Sequence, residues 1–167
     1  MRAARHIAAP FLIERRICMR VVLQRVKRAA LTADGVPCAA IGAGLVAYVG
    51  IGPGDDDTAM RYILDKIWNL RVFEDEQGKL NLSVKDLGYE VLFVSNFTLY
   101  GDCRHGRRPS YSSAAPVEEA RGKFERFKEL AGEGPLRAVF GVFQADMEIE
   151  QLCSGPVTLL MDSGKEF

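Results

Sequence analysis

The chain has no surplus of charge of either sign. Lys plus Arg and Asp plus Glu number 22 each, so the formal net charge is zero. A chain without a basic excess is not a general nucleic-acid coat, and any RNA it binds must be held by a local patch and a shaped pocket. Histidine is scarce, with only His6 and His105. Four cysteines, Cys18, Cys38, Cys103 and Cys153, include no Cys-x-x-Cys pair and no histidine at metal-binding spacing. They read as reduced thiols of a cytoplasmic protein, and no metal is expected. No apolar run is long enough to span a bilayer. Repeats, low-complexity tracts and linkers are also missing. What remains is 167 residues, 48% hydrophobic and 26% charged, ordinary for one globular domain with a proper core.

Apolar periodicity divides the chain into short elements. Val21 to Val26 alternates and reads as a strand. Ala29–Ala33 and Val36–Ile41 read as a hairpin, because Asp34-Gly35 supplies the positive backbone angles of a tight turn. Gly42-Ala43-Gly44 bends the chain into a strand over Leu45–Ile51. Gly50, Gly52 and Gly54 are followed by no Lys-Ser/Thr pair, so a simple strand-to-helix turn is expected there rather than a phosphate loop. Asp55, Asp56 and Asp57 suit the cap of a helix whose Met60, Ile63, Leu64 and Ile67 share one face. Val72-Phe73 resumes extended structure, Glu74 to Lys79 is a charged turn, and Val91–Val94 is a buried strand. A second helix starts at Pro116, carries the stripe Val117, Ala120, Phe124, Phe127 and Ala131, and stops at Gly132 to Pro135. Val139–Gln144 and Met147–Leu152 read as a closing hairpin, with a last strand after Gly155-Pro156. This mixture argues a layered α/β domain with mixed sheets.

Two segments carry the chemistry. Ser95-Asn96-Phe97-Thr98-Leu99 closes the buried strand and delivers small hydroxyls and a ring where strand gives way to loop. Ser154-Gly155-Pro156-Val157-Thr158 sets a Gly-Pro step before an apolar run. Such a step adopts the cis form at modest cost and can turn main-chain groups toward a ligand. A Ser-His-Asp or cysteine site would have to use His105 in the loop Asp102–Arg108, where nothing in the sequence orients the base. Thr98 as a nucleophile lacks a visible base as well. Positioned main-chain N–H groups are the alternative, sufficient for an ester that is already activated.

These two segments resemble the signature motifs of the D-aminoacyl-tRNA deacylase family, usually Ser-Gln-Phe-Thr-Leu and Asn-x-Gly-Pro-Val-Thr. Met19–Val26 resembles the family's opening strand, Arg108-Pro109-Ser110-Tyr111 its central loop, and Phe143–Met147 its penultimate hairpin, so the likeness runs from Met19 to the end. Asn96 stands in place of the usual Gln, and Cys153-Ser154 in place of Asn and a variable residue. The resemblance implies a single-domain three-layer β/β/α sandwich with mixed sheets over residues 19–167. It also implies a cofactor-free, metal-free hydrolase acting on the 3′ end of D-aminoacyl-tRNA. The amides around Phe97 and Thr98 would then face the ester oxygen, the terminal adenosine's 2′-hydroxyl would assist, and Ser95 and Asn96 would hold the motif and the adenosine.

Gly155, Pro156 and Val157 are implied to bar an L side chain from the pocket of the opposite subunit in a homodimer. Selection by exclusion discriminates more sharply than an added contact. Glycine offers nothing to exclude, so glycyl-tRNA is an expected substrate too. Arg25 matches a family arginine that braces the Gly-Pro segment, with a surface strand cation as the plainer reading. Arg104, Arg107 and Arg108 form a cluster for tRNA phosphates or a solvated loop. Phe97 stacks on the terminal base or belongs to the core. Two other functions stay open: a sister deacylase with a trans Gly-Pro acting on L-aminoacyl-tRNA, and a non-catalytic RNA- or partner-binding protein. Residues 1–18, with Arg2, Arg5, Arg15 and Arg16 against Glu14 alone, read as a leader outside the domain, either an over-called start or a targeting segment.

Overall fold

The computed structural model describes residues 18–166, so the expected leader, Cys18 apart, lies outside the described residues. Strand β1 spans Arg20–Ala33 without a break, longer than its two apolar halves suggested. Asp34 (φ 49°) and Gly35 (φ 78°) make the tight turn into β2, Val36–Ile41. β3, Gly44–Gly50, is buried on both faces, and a loop leads from it to helix α1, Asp57–Asn69. Asp56 caps that helix by accepting the Ala59 N–H at 2.9 Å. β4, Arg71–Glu74, and β5, Leu80–Ser83, form a small separate hairpin around the charged turn. β6, Glu90–Ser95, runs into a 3₁₀ turn at Phe97–Tyr100, and helix α2 covers Val117–Gly132. β7, Ala138–Phe140, and β8, Met147–Asp162, complete the chain.

β8 lies antiparallel along nearly all of β1, while the other edge of β1 changes partner along its length. Arg20–Val26 pairs with β3, and Ala29–Ala33 pairs with β2. β3 continues the sheet to β6 and β7, both pairings parallel. The anticipated hairpin between Val139–Gln144 and Met147–Leu152 is therefore corrected: β7 joins β6 and β8 joins β1. The apolar run alone does not fix a strand's partner, and the turn between these two carries Gln144 at φ 67° rather than a two-residue hairpin.

Two apolar cores lie on opposite sides of β3 and β6. On one side α1 and α2 pack Ile63, Ile67, Phe124 and Phe127 onto Leu45, Ala47, Val91 and Phe93. Phe93 meets Trp68 edge-on at 5.7 Å and stacks on Phe140 at 5.5 Å. On the other side Val26, Ala29, Leu31 and Ile41 of the β1–β2 arm close over Val46, Leu92 and Val94. The result is helices, a central mixed sheet and a second β layer curling back over it, the β/β/α sandwich expected. Within the central sheet Gly44 lets β3 lie close to β6, since a Cβ there would stand 2.0 Å from the Glu90 carbonyl oxygen. Among the described residues no helix is long and apolar enough to cross a membrane.

Candidate active site

A cleft of about 780 Å³ opens at the carboxyl ends of the parallel strands β3 and β6. Open α/β sheets commonly bind ligands in this place. Tyr48, Ser95, Asn96 and Phe97 come from the sheet side, Tyr111 and Pro116 from the approach to α2, and Gln144 and Met147 from the approach to β8. Among the described residues the lining holds no histidine, carboxylate, lysine, arginine or cysteine. Cys103 and His105 lie in an exposed loop outside it, so the two side chains a triad would need are not brought to the cleft.

The motif at the cleft follows from the end of a ladder. The Asn96 N–H still donates to the Val49 carbonyl at 2.7 Å, continuing the parallel pairing by one residue. Its backbone then leaves the strand (φ −146°, ψ 89°), and its side chain caps the 3₁₀ turn. Asn96 Oδ1 accepts the Thr98 N–H at 3.2 Å and also the Thr98 hydroxyl. A short Asx side chain favours this bond to the residue two ahead. The consequence is asymmetric. Thr98's amide is occupied locally, whereas the Phe97 amide has no acceptor among the described residues.

The turn itself is anchored from below. Tyr100 is buried, and its hydroxyl donates to the Cys18 carbonyl at 2.7 Å and the Gly50 carbonyl at 3.2 Å. Burial pushes its phenol far above the ordinary range, so it stays a neutral donor. Arg20 lies over the Tyr100 ring and donates to the Leu99 carbonyl at 3.0 Å. Phe97 is 58% exposed and meets Tyr111 edge-on at 5.1 Å. The core reading of Phe97 is excluded; the ring lines the cleft instead. Thr98 is exposed and lies outside the lining.

The second motif is elsewhere. In the pairing of β1 with β8, Gln24 stands opposite Thr158 and Val26 opposite Cys153, so Ser154, Gly155, Pro156 and Val157 bulge out against Arg25 alone. Gly155 has φ +127°, and the Gly155-Pro156 peptide is cis. Both residues are exposed, and neither lines the cleft of its own chain. Arg25 is only 8% exposed, which removes the surface-cation reading. Its Nε donates to the Ser154 carbonyl at 3.2 Å and its Nη1 to the Val72 carbonyl at 2.7 Å, beneath the bulge. Glu74 lies 3.7 Å from Nη2, and the Phe73 ring is below the guanidinium.

The three loop arginines differ. Arg104 is paired with Asp102 at 2.7 Å and holds that carboxyl well below its usual range. Arg107 and Arg108 are exposed in the loop that the bridge between Asp102 and Ser110 closes. Tyr48 and Gln144 were not singled out from the sequence. A lone phenol in the otherwise apolar run of β3 was the available signal for Tyr48.

The same arrangement of layers occurs in known structures. A "c-Myc DNA Unwinding Element Binding Protein" superposes with a TM-score of 0.79 at 39% identity, over 85% of this chain and 97% of that one. A "probable eukaryotic D-amino acid tRNA deacylase" superposes at 0.72 with 18% identity, over 86% and 98%, a likeness of fold. In sequence, residues 22–162 match the D-Tyr-tRNA(Tyr) deacylase family, to which the chain belongs. Its relatives include the D-aminoacyl-tRNA deacylases of Carboxydothermus hydrogenoformans, 54% identical over 86% of this chain and 99% of theirs, and of Thermotoga petrophila, 48% identical over 89% and 100%.

Proposed function

We propose that the chain hydrolyses the ester of D-aminoacyl-tRNA, releasing the D-amino acid and free tRNA. The carrying observation is the cleft itself: Phe97, whose N–H has no acceptor among the described residues, lines it, and among those residues it holds no acid–base pair beyond tyrosine phenols. Such a site suits an activated ester and little else. Water adds to the carbonyl carbon, the Phe97 N–H donates to the developing oxyanion, and the bond to the ribose oxygen breaks as that oxygen takes up a proton. Thr98's amide is committed to Asn96, so Phe97 carries the main-chain donation in this chain. The 2′-hydroxyl of the terminal adenosine supplies the remaining help, and Ser95 and Asn96 shape the floor. Phe97, at the rim, stacks on the terminal base.

Chirality is selected by Gly155, Pro156 and Val157, braced by Arg25. The segment is exposed and does not line the cleft of its own chain, which supports a homodimer in which each chain supplies the selector for its partner. Exclusion acts on the L side chain, so glycyl-tRNA is hydrolysed as well. Arg107 and Arg108, with Arg104, meet the tRNA phosphates, and the protein works in the cytoplasm on the acceptor end of tRNA. Incubation with D-Tyr-tRNA and L-Tyr-tRNA tests the reading, with hydrolysis of the D ester expected to be the faster by far. Equal turnover of both would support the sister class, and tRNA binding with no hydrolysis would support a binding protein.

A further inference from the structure

The bulge of β8 is held from both faces of the sheet, and Arg25 accounts for one of them. Consecutive residues of a strand point to opposite faces. Arg25 takes the side of the helices, over Phe73. Gln24 takes the other, the side of Val46 and Tyr48. Its Nε2 donates to Thr158 Oγ1 at 3.3 Å, and its Oε1 accepts from Gln151 Nε2 at 2.5 Å. Thr158 follows the bulge and Gln151 precedes it, so one side chain ties both legs of the excursion. A glutamine is suited to this because it offers a donor at one end of the amide and an acceptor at the other. Gln151 Oε1 in turn accepts from the Tyr48 hydroxyl at 3.4 Å, and Tyr48 lines the cleft. Burial raises the Tyr48 phenol and keeps it protonated.

We propose that Gln24 is a positioning residue for chiral selection: by bridging Gln151 and Thr158 it sets the place of Gly155 and Pro156, and through Tyr48 it ties that place to the cleft of the same chain. This rests on the reading of Gly155-Pro156 as the selector. Its effect belongs in the ratio of D-Tyr-tRNA to L-Tyr-tRNA hydrolysis, which a change in overall stability does not move.

In Gln24→Leu that ratio is expected to fall roughly three- to tenfold, the range one or two neutral hydrogen bonds supply, with D-ester turnover within about twofold of the parent. Gln24→Glu keeps the acceptor for Gln151 but loses the donor to Thr158, so its ratio falls between the two. Thr158→Val removes one bond at constant shape and decides the matter if Gln24→Leu does not fold. Gly155→Ala is the control. A Cβ there would stand 2.6 Å from the Val157 nitrogen and 3.3 Å from Arg25 Nη2, displacing the bulge directly. If Gly155→Ala lowers the ratio while the Gln24 and Thr158 variants keep the parental value, the role of Gln24 is wrong and the selector stands. If Gly155→Ala keeps the ratio, the selector itself is wrong. A ratio that falls in the Gln24 variants alone also overturns the proposal, since Gln24 would then act without the bulge.

Discussion

Ser95 and Gly155 both sit where a strand gives way, yet what surrounds them has little in common. Ser95 ends β6, whose Val91, Leu92, Phe93 and Val94 are buried between the two cores. The geometry of the cleft floor is inherited from packing, which holds main chain rigidly without any particular side chain. Gly155 is exposed on an outward bulge, and its neighbours are fixed by single polar bonds from Gln24 and Arg25. The first region is completed within one chain. The second lines no part of its own chain's cleft. If, as proposed, the first serves reactivity and the second selectivity, the two should fail independently under mutation.

The largest effect is expected on the packed side. Gly44→Ala places a Cβ 2.0 Å from the Glu90 carbonyl oxygen, a backbone atom that cannot swing aside. Separating β3 from β6 costs about 3 kcal/mol or more by the usual scale of overpacking. Thermal unfolding should register that loss, with D- and L-ester turnover falling together. A variant of parental stability would show that the cleft does not depend on the β3–β6 contact. Arg25→Ala comes next, on the bulge side. It leaves the Val72 and Ser154 carbonyls without their donor, a loss of about 2–3 kcal/mol for charged hydrogen bonds in a buried place. Here the D-to-L ratio should drop further than D-ester turnover does. Equal losses in both would erase the distinction between the regions.

Asp55 offers a smaller test of the packed side. It is buried, with Oδ1 accepting the Met19 N–H at 2.6 Å and Oδ2 the Gly52 N–H at 2.7 Å. Asp55→Asn can satisfy only one of these donors, at a cost of about 1–2 kcal/mol. Burial outweighs the two donors and raises the carboxyl above its ordinary value. A carboxyl with its folded value above its unfolded one binds more protons when folded. Its contribution is therefore full below the unfolded value and is lost as pH rises through the folded one. Denaturant unfolding from pH 4 to 7 should show the parent losing stability relative to Asp55→Asn as pH rises, since the other carboxyls are common to both. Identical slopes would mean that Asp55 titrates normally.

Residue pattern disclosed the elements whose periodicity is local, including Val91–Val94, both helices and the Asp34-Gly35 turn. It did not disclose partners. Val139–Gln144 and Met147–Leu152 read as a hairpin because they are adjacent and apolar, whereas the strands there pair with β6 and β1, far away in sequence. Asp55, Asp56 and Asp57 read alike in sequence as one acidic cap, but only Asp56 caps α1, and Asp55 turns inward to the Met19 and Gly52 amides. The cleft motif was visible as a strand end with special residues. Tyr48, Gln24 and Gln151 were not, because a polar tip on a half-buried strand acquires a role only from what the fold sets beside it.

The smallest effect is expected at Thr98, and it bears most directly on the chemistry. Its hydroxyl donates to Asn96 Oδ1 and it lies outside the cleft lining. Thr98→Ala removes one exposed hydrogen bond, about 0.5–1 kcal/mol of local stability, and leaves the Thr98 N–H on Asn96. The Phe97 amide is untouched by the change. Single-turnover hydrolysis of D-Tyr-tRNA should therefore stay within a few-fold of the parent, with the D-to-L ratio unaltered. A well-folded Thr98→Ala protein without activity would overturn main-chain catalysis and make the hydroxyl the nucleophile. Asn96 would then be the group that orients it, and the free Phe97 N–H would serve an acyl-enzyme rather than the attack of water.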